Sequence, residues 1–355
     1  MKCLSKIRVG ISTWTAASVI LLLVFTGCKK DSNPPQLSVS TIASGLNGLM
    51  GIETDNHGNL WVSEGGTDTS EMNGDTHNDN GKVIIITPTG EKYDAIIHLS
   101  SYANVHSGEL QGTVHLLQDG GTLYVLSGDY LYKADISHFK PGDTPIDANT
   151  LSKEDIASII SQIPSPNNPE KDSHPYNLTK GPDGDLYIAD AGANAIIHRI
   201  GENNYSIFAE IPAMKNTLFP GLGGPTVQPV PTSILYDGNE FLVTTLTGFP
   251  FPSEQAVVYK VSQAGEVSVY QKGFTMLVDQ ADGSNSKHLV VQFASSFNPA
   301  SGYTPNSGAL IWVDGTTQQV LADGLNQPVG IKQVNNDTWY VTSQGNGTVL
   351  KVTYR

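Results

Sequence analysis

Asp183-Gly-Asp-Leu-Tyr-Ile-Ala-Asp-Ala-Gly-Ala-Asn194 decides the fold. An Asp-Gly-Asp turn leads into three large apolar residues, Leu186-Tyr187-Ile188, and a second turn-forming run follows from Asp190 to Asn194. So short an apolar stretch between two turns reads as a strand with an antiparallel partner on each side. The pattern recurs at Leu60-Trp61-Val62, Leu123-Tyr124-Val125, Phe241-Leu242-Val243, Leu289-Val290-Val291 and Trp339-Tyr340-Val341. Each copy follows a turn such as His57-Gly58-Asn59, Asp119-Gly120-Gly121, Asp237-Gly238-Asn239, Asp282-Gly283-Ser284 or Asn335-Asn336-Asp337. Successive anchors lie roughly 50 to 60 residues apart, the period of a repeated sheet.

Each anchor is flanked by apolar segments. Met50 to Glu53, Val114 to Leu117, Tyr176 to Thr179, Ser233 to Tyr236, Leu277 to Gln280 and Val329 to Gln333 precede the anchors. Val83 to Thr87, Leu131 to Ala134, Ala195 to Ile200, Val257 to Val261, Leu310 to Val313 and Val349 to Val352 follow them, and most units add a fourth strand, such as Ser206 to Ile211. One such unit cannot bury both faces of its sheet, so the expected fold is all-β, a six-bladed β-propeller over residues 38–355. The last unit ends after three strands, while Ser38 to Ala43 precedes the first anchor unit with no partner of its own. That strand is expected to become the outermost strand of the last blade, removing an open edge.

The composition agrees. The 355 residues include 36 Gly and 20 Pro, are 39% hydrophobic and only 15% charged, which excludes a disordered chain or a coiled coil. With a net charge of −14 and only Arg8, Arg199 and Arg355 as arginines, no nucleic-acid partner is expected. Residues 1–27 combine Lys2, Lys6 and Arg8 with a short apolar core, as in a secretory signal. Val24-Phe25-Thr26-Gly27-Cys28 resembles a bacterial lipobox, which implies cleavage before Cys28 and a membrane anchor through lipid on that cysteine. Residues 28–37 read as a tether. Lys29-Lys30-Asp31 resembles a surface-export signal of Bacteroidota lipoproteins. The expected location is therefore the cell envelope of a bacterium, as an outer-membrane lipoprotein facing the periplasm or the exterior. Loss of Cys3 with the leader and lipidation of Cys28 leave no thiol for a disulfide.

Long connections crowd one face of the expected ring: Gly65 to Gly81, Thr247 to Ala256, Ala294 to Gly308 and Pro212 to Pro231. The first carries Asp68, Glu71, Asn73, Asp75, Asn78 and Asp79, and reads either as a calcium loop, with Asp75 and Asp79 as ligands, or as solvated turn. Thr247-Gly-Phe-Pro-Phe-Pro252 offers Phe249 and Phe251 as a hydrophobic lip at the channel mouth or as a blade cap. Strand ends place Glu64, Asp129, Asp190, His106, Glu109, His174, Tyr176, Thr232 and Thr247 near the channel as ligand-binding candidates. Among them Glu64, His174 and Asp190 are the candidate ligands of a divalent metal that polarises a lactone or ester, although Asp190 also suits a turn. Residues 137–173 depart from the repeat and read as a helical insertion, with Ile156, Ile159, Ile160 and Ile163 on one stripe, Ser152 or Asp155 as cap and Pro164 as stop.

Several stretches resemble a known family. Asp183 to Asn194 resembles an NHL repeat. His174-Pro-Tyr, Val230-Pro-Thr-Ser, Leu246-Thr-Gly-Phe-Pro-Phe-Pro252, Gly273-Phe-Thr275 with Val278-Asp279, and Leu325-Asn-Gln-Pro-Val-Gly330 together resemble the ScyD/ScyE family over about residues 40–353. The resemblance implies a six-bladed propeller and export, and it carries over no catalytic residue. The expected role is a non-catalytic binding or scaffold propeller that takes a small molecule or protein on its long-loop face. The alternative is a metal-dependent lactonase or esterase resembling SMP-30/gluconolactonase. A PQQ-type sugar dehydrogenase is disfavoured, because so few arginines remain to hold an anionic cofactor.

Overall fold

The computed structural model describes residues 36–66, 76–103, 110–216, 221, 224–283 and 287–355. The leader, Cys28 and most of the tether lie outside these residues. Six sheets follow one another along the chain, each with antiparallel strands A to D from the channel outward, and Ile146–Asp147 adds a short parallel strand at the outer edge of blade 1. The A strands are Leu49–Thr54, Thr113–Asp119, Pro175–Lys180, Pro231–Tyr236, Leu277–Asp282 and Pro328–Asn335. Each packs against the A strands of its two neighbours, and the first packs against the last. The result is a closed six-bladed β-propeller.

Closure is made by the N-terminal strand. Leu37–Ala43 pairs antiparallel with Thr348–Tyr354, from Leu37 opposite Tyr354 to Ala43 opposite Val349, and is the outermost strand of blade 6.

The period-two alternation of the B strands explains why the blades stack. In blade 3, Leu186 and Ile188 join Leu126 and Leu131 of blade 2 in one apolar cluster. Tyr187 and Ala189, on the opposite face of the same strand, join Phe241 and Val243 of blade 4. Each sheet thus contributes to two cores, one with each neighbour, and Trp339, fully buried between blades 5 and 6, anchors another such core.

Residues 137–173 differ from the expected helical insertion. Ser152–Asp155 is a strand paired with Tyr130–Asp135, so it supplies strand D of blade 2. Only Ile156–Ile160 is α-helical, capped by Asp155, whose side chain accepts the Ser158 N–H, and Ala148–Thr150 forms a single 3-10 turn. The isoleucine stripe is real but short: Ile156 and Ile160 are buried in the core between blades 2 and 3, with Ile159 and Ile163 packed beside it. Edge pairing with blade 2 outweighs helix propensity over Ser152–Asp155, because the propeller otherwise leaves strand C of that blade uncovered.

The long-loop face carries two extra hairpins, Met214–Lys215 with Thr226–Val227 and Phe297–Asn298 with Gly302–Tyr303. In blade 1 the stretch read as a loop is partly strand, since C and D run over Thr76–Ile86 and Lys92–Ala103.

Candidate functional site

A repeated backbone bond builds the rim of the channel on the long-loop face. In every blade the carbonyl just before strand A accepts an N–H from just beyond strand B: Gly65 to Gly48, Gly128 to Gly112, Ala191 to His174, Leu246 to Val230, Phe293 to Met276 and Gln344 to Gln327. The acids predicted at this rim reinforce it. Asp190 is fully buried, and its carboxylate accepts from the His174 N–H at 2.7 Å, the Ala193 N–H at 2.9 Å and the Ser173 hydroxyl at 2.6 Å. Glu64 does the same in blade 1, accepting the Asn47 N–H at 2.7 Å and pairing with Lys82 at 3.1 Å. The His174 ring turns to Asp172, 3.1 Å away. Glu64, His174 and Asp190 therefore do not form a metal site: each is engaged within its own blade, and they make no group of converging ligand atoms.

The other predicted residues divide. Thr232 ties blade 4 to blade 5 through its hydroxyl, which donates to the Leu277 carbonyl at 2.8 Å. The Asp129 carbonyl accepts the N–H groups of Ile156 and Ala157 and so docks the short helix. Asp79 lies in the lengthened strand C of blade 1, at a register shift between Asn78 and Gly81. Asp75, His106 and Glu109 lie outside the described residues. Among the described residues one group has metal-ligand spacing, Asp183 and Asp185 of the A–B turn of blade 3 with His198 of its strand C. His198 already bonds Asp185 at 3.0 Å and stacks on Tyr187 at 4.4 Å.

Inside the channel, polar residues converge that the repeat pattern does not mark. All six A strands carry a register shift near their long-loop end, the kind of bulge that re-aims a side chain. At or beside it stand His115, Asn177, Ser233 and Asp279, from four consecutive blades. Asn177 Nδ2 donates to Asp279 Oδ1 at 3.1 Å and lies 3.3 Å from both His115 Nε2 and Ser233 Oγ. Asp279 also accepts the Ser233 hydroxyl at 2.9 Å, the Gln280 N–H at 2.8 Å and the Ile331 N–H at 2.8 Å. Burial pushes the Asp279 carboxyl above its ordinary value, against the pull of His115, of these two N–H groups and of the Ser233 hydroxyl. Burial likewise lowers the His115 pKa, opposed by Asp279, so the imidazole stays neutral at physiological pH. In the two remaining blades the equivalent position is glycine, where backbones approach closely. A Cβ on Gly51 would meet the Val114 carbonyl at 2.8 Å.

This cluster divides the channel. Below it, toward the short A–B turns, lies a cavity of about 210 Å³ lined by Glu53, Thr179, Gln280, Asp282, Lys332 and Gln333, among others. Above it the Tyr176 ring sits 5.9 Å from His115. Burial raises the pKa of the Tyr176 hydroxyl, with smaller contributions from Asp279 and Tyr303.

On that face the loops of blades 4 and 5 build one aromatic surface. Phe251 meets Phe297 at 5.1 Å and Tyr303 at 5.8 Å, Phe297 meets Tyr303 at 4.9 Å, and Phe293 meets Tyr303 at 4.9 Å. Phe249 joins at 6.1 Å from Phe251 and 6.3 Å from Phe297. These edge-to-face and tilted contacts stiffen the cluster, yet Phe249 is 48% exposed. Thr247, Phe251 and Glu254 all have positive φ, 75°, 54° and 62°. The Thr247 hydroxyl is buried without a hydrogen-bond partner.

No family model and no curated protein match the chain. Solved structures do. An aldose sugar dehydrogenase from Streptomyces coelicolor, in its PQQ-bound form, is 12% identical with a TM-score of 0.57, over 91% of this chain and 99% of that one. A candidate gluconolactonase is 10% identical with a TM-score of 0.53, over 90% and 92%. A streptogramin B lyase is 13% identical with a TM-score of 0.51, over 90% and 98%. At these identities the likeness establishes the propeller fold, and function has to be argued from the site.

Proposed function

We propose that this protein is an exported, lipid-anchored propeller that binds a neutral, ring-bearing ligand of the carbohydrate class on its long-loop face. The observation that carries the proposal is the aromatic surface of Phe249, Phe251, Phe293, Phe297 and Tyr303, gathered from two blades with Phe249 half exposed. An exposed aromatic face offers an apolar platform for the C–H face of a sugar ring, while Ser295, Ser296, Asn298 and Thr304 supply polar groups around it. Residues 246–255 and 293–308 contain Glu254 and no Lys or Arg, which disfavours an anionic ligand. The lipobox ending in Cys28 supports anchoring in the bacterial envelope, and the quoted motifs support membership of the ScyD/ScyE family.

A metal-dependent lactonase is the alternative, supported at the level of fold by the likeness to a candidate gluconolactonase. Its proposed ligands Glu64, His174 and Asp190 are spent on separate turns, so binding is favoured over hydrolysis. The PQQ reading stays disfavoured, since Arg199 pairs with Glu154 at 2.6 Å and Arg355 with Asp337 at 3.0 Å, which leaves neither guanidinium free for an anionic cofactor. Titration calorimetry of the purified full chain against neutral oligosaccharides tests the proposal. Saturable binding that Phe249→Ala weakens at least tenfold is expected. Failure of every neutral glycan to bind, or binding unchanged in Phe249→Ala, would overturn it.

A further inference from the structure

We propose that the Tyr176 hydroxyl is the hydrogen-bonding group through which the long-loop face discriminates among neutral sugars. The inference rests on the carbohydrate reading above and deepens it: the aromatic surface holds a sugar ring, and Tyr176 selects which ring is held.

The bulge in each A strand sets two residues opposite one residue of strand B. The second of the two is His115, Asn177, Ser233 or Asp279 in blades 2 to 5 and Gly51 or Gly330 in blades 1 and 6. The first is Met50, Val114, Tyr176, Thr232, Val278 and Val329 in blade order. Four of these six are Met or Val, and the Thr232 hydroxyl is engaged by the Leu277 carbonyl. Val114 and Val278 pack into cores between blades. Tyr176 belongs to none of the apolar clusters among the described residues. Its ring stands instead against His115 in the channel, tilted by 47° at 5.9 Å. A bulge that re-aims a side chain has here turned the one aromatic of the set away from the blade cores.

The hydroxyl is uncommitted. Among the described residues it makes no hydrogen bond, and the side chain is partly exposed. Burial raises its pKa, and Asp279 and Tyr303 add to the rise, so the group stays a neutral phenol at any working pH. Tyr303 of the aromatic surface thus lies within its electrostatic reach. A neutral phenol both donates and accepts, as a sugar hydroxyl does. An apolar platform takes the C–H face of many sugar rings alike, whereas a fixed polar group disfavours a ring that leaves it unpaired.

The test is calorimetric titration of the full chain and of Tyr176→Phe with the panel of neutral oligosaccharides. Tyr176→Phe is expected to bind the tightest member about fivefold more weakly, roughly the worth of one neutral hydrogen bond. The weakest-binding members keep their affinity, so the spread across the panel narrows, whereas Phe249→Ala weakens every member. The melting temperature of Tyr176→Phe is expected to be unchanged, because the hydroxyl has no partner within the fold. Unchanged affinities across the panel, a parallel loss for every member, or a lowered melting temperature would overturn the inference and leave the carbohydrate reading standing. If the unaltered protein binds no member, the carbohydrate reading fails and this inference falls with it.

Discussion

Lys332 Nζ lies 2.8 Å from the Glu53 carboxylate, joining the innermost strand of the last blade to that of the first. With the Leu37–Ala43 strand at the rim, this pair closes the ring at both its inner and outer radius. Lys332→Met leaves Glu53 buried without its cation. Lys332 keeps about a third of its side chain in water, so the expected loss is about 1–2 kcal/mol rather than the ~3–5 kcal/mol of a fully buried pair. Burial raises the Glu53 pKa while Lys332 opposes that rise, and removing the lysine raises it further. The folded state of the variant then takes up a proton more readily than the unfolded state, so its deficit shrinks as pH falls toward the ordinary glutamate range. Urea unfolding of both proteins at pH 7.5 and pH 5 reads this, and a deficit that grows in acid would refute it.

Glu154 titrates with the opposite sign. Burial pushes its pKa up, but the Arg199 guanidinium, the Asn203 N–H and the Tyr205 hydroxyl outweigh burial and hold it below the ordinary glutamate value. Its stabilisation is therefore complete above that ordinary value and is lost as pH falls through the lower folded one. Glu154→Gln is expected to cost about 3 kcal/mol at pH 7, since it leaves Arg199 poorly paired. The gap to the unaltered protein narrows at pH 3 in the same unfolding measurement.

Trp339 anchors the core between blades 5 and 6. It is fully buried, stands edge-on to Trp312 at 5.3 Å and donates from Nε1 to the Asp282 carbonyl at 3.1 Å. Trp339→Ala is expected to cost about 3–5 kcal/mol and to lower the melting temperature, while Trp339→Phe, which retains most of the apolar volume, costs less. Equal melting temperatures for the two variants would show that this core is not packed as described.

The blades were legible because each B strand must bury both of its faces, so Leu186-Tyr187-Ile188 and its counterparts carry uninterrupted apolar runs. Ser152–Asp155 escaped that reading, since its four residues are polar and the isoleucines that follow repeat with helical spacing. The channel cluster was missed because His115, Asn177, Ser233 and Asp279 differ in residue type and stand among other polar residues in short A strands such as Leu277–Asp282. Their shared position, roughly nine residues before each anchor, was the available signal. Phe249 and Phe251 stood out in their Pro-flanked motif, but Phe297 and Tyr303 did not, because only the ring geometry brings the blade 5 hairpin beside them.

Hydrogen exchange of the full chain with and without a bound neutral oligosaccharide tests the account most directly. Protection is expected to rise in residues 246–255 and 293–308 together, with the outer strands of all six blades unchanged. Protection confined to other segments, with both of these loops unaffected, would contradict the assignment of the aromatic surface as the binding site.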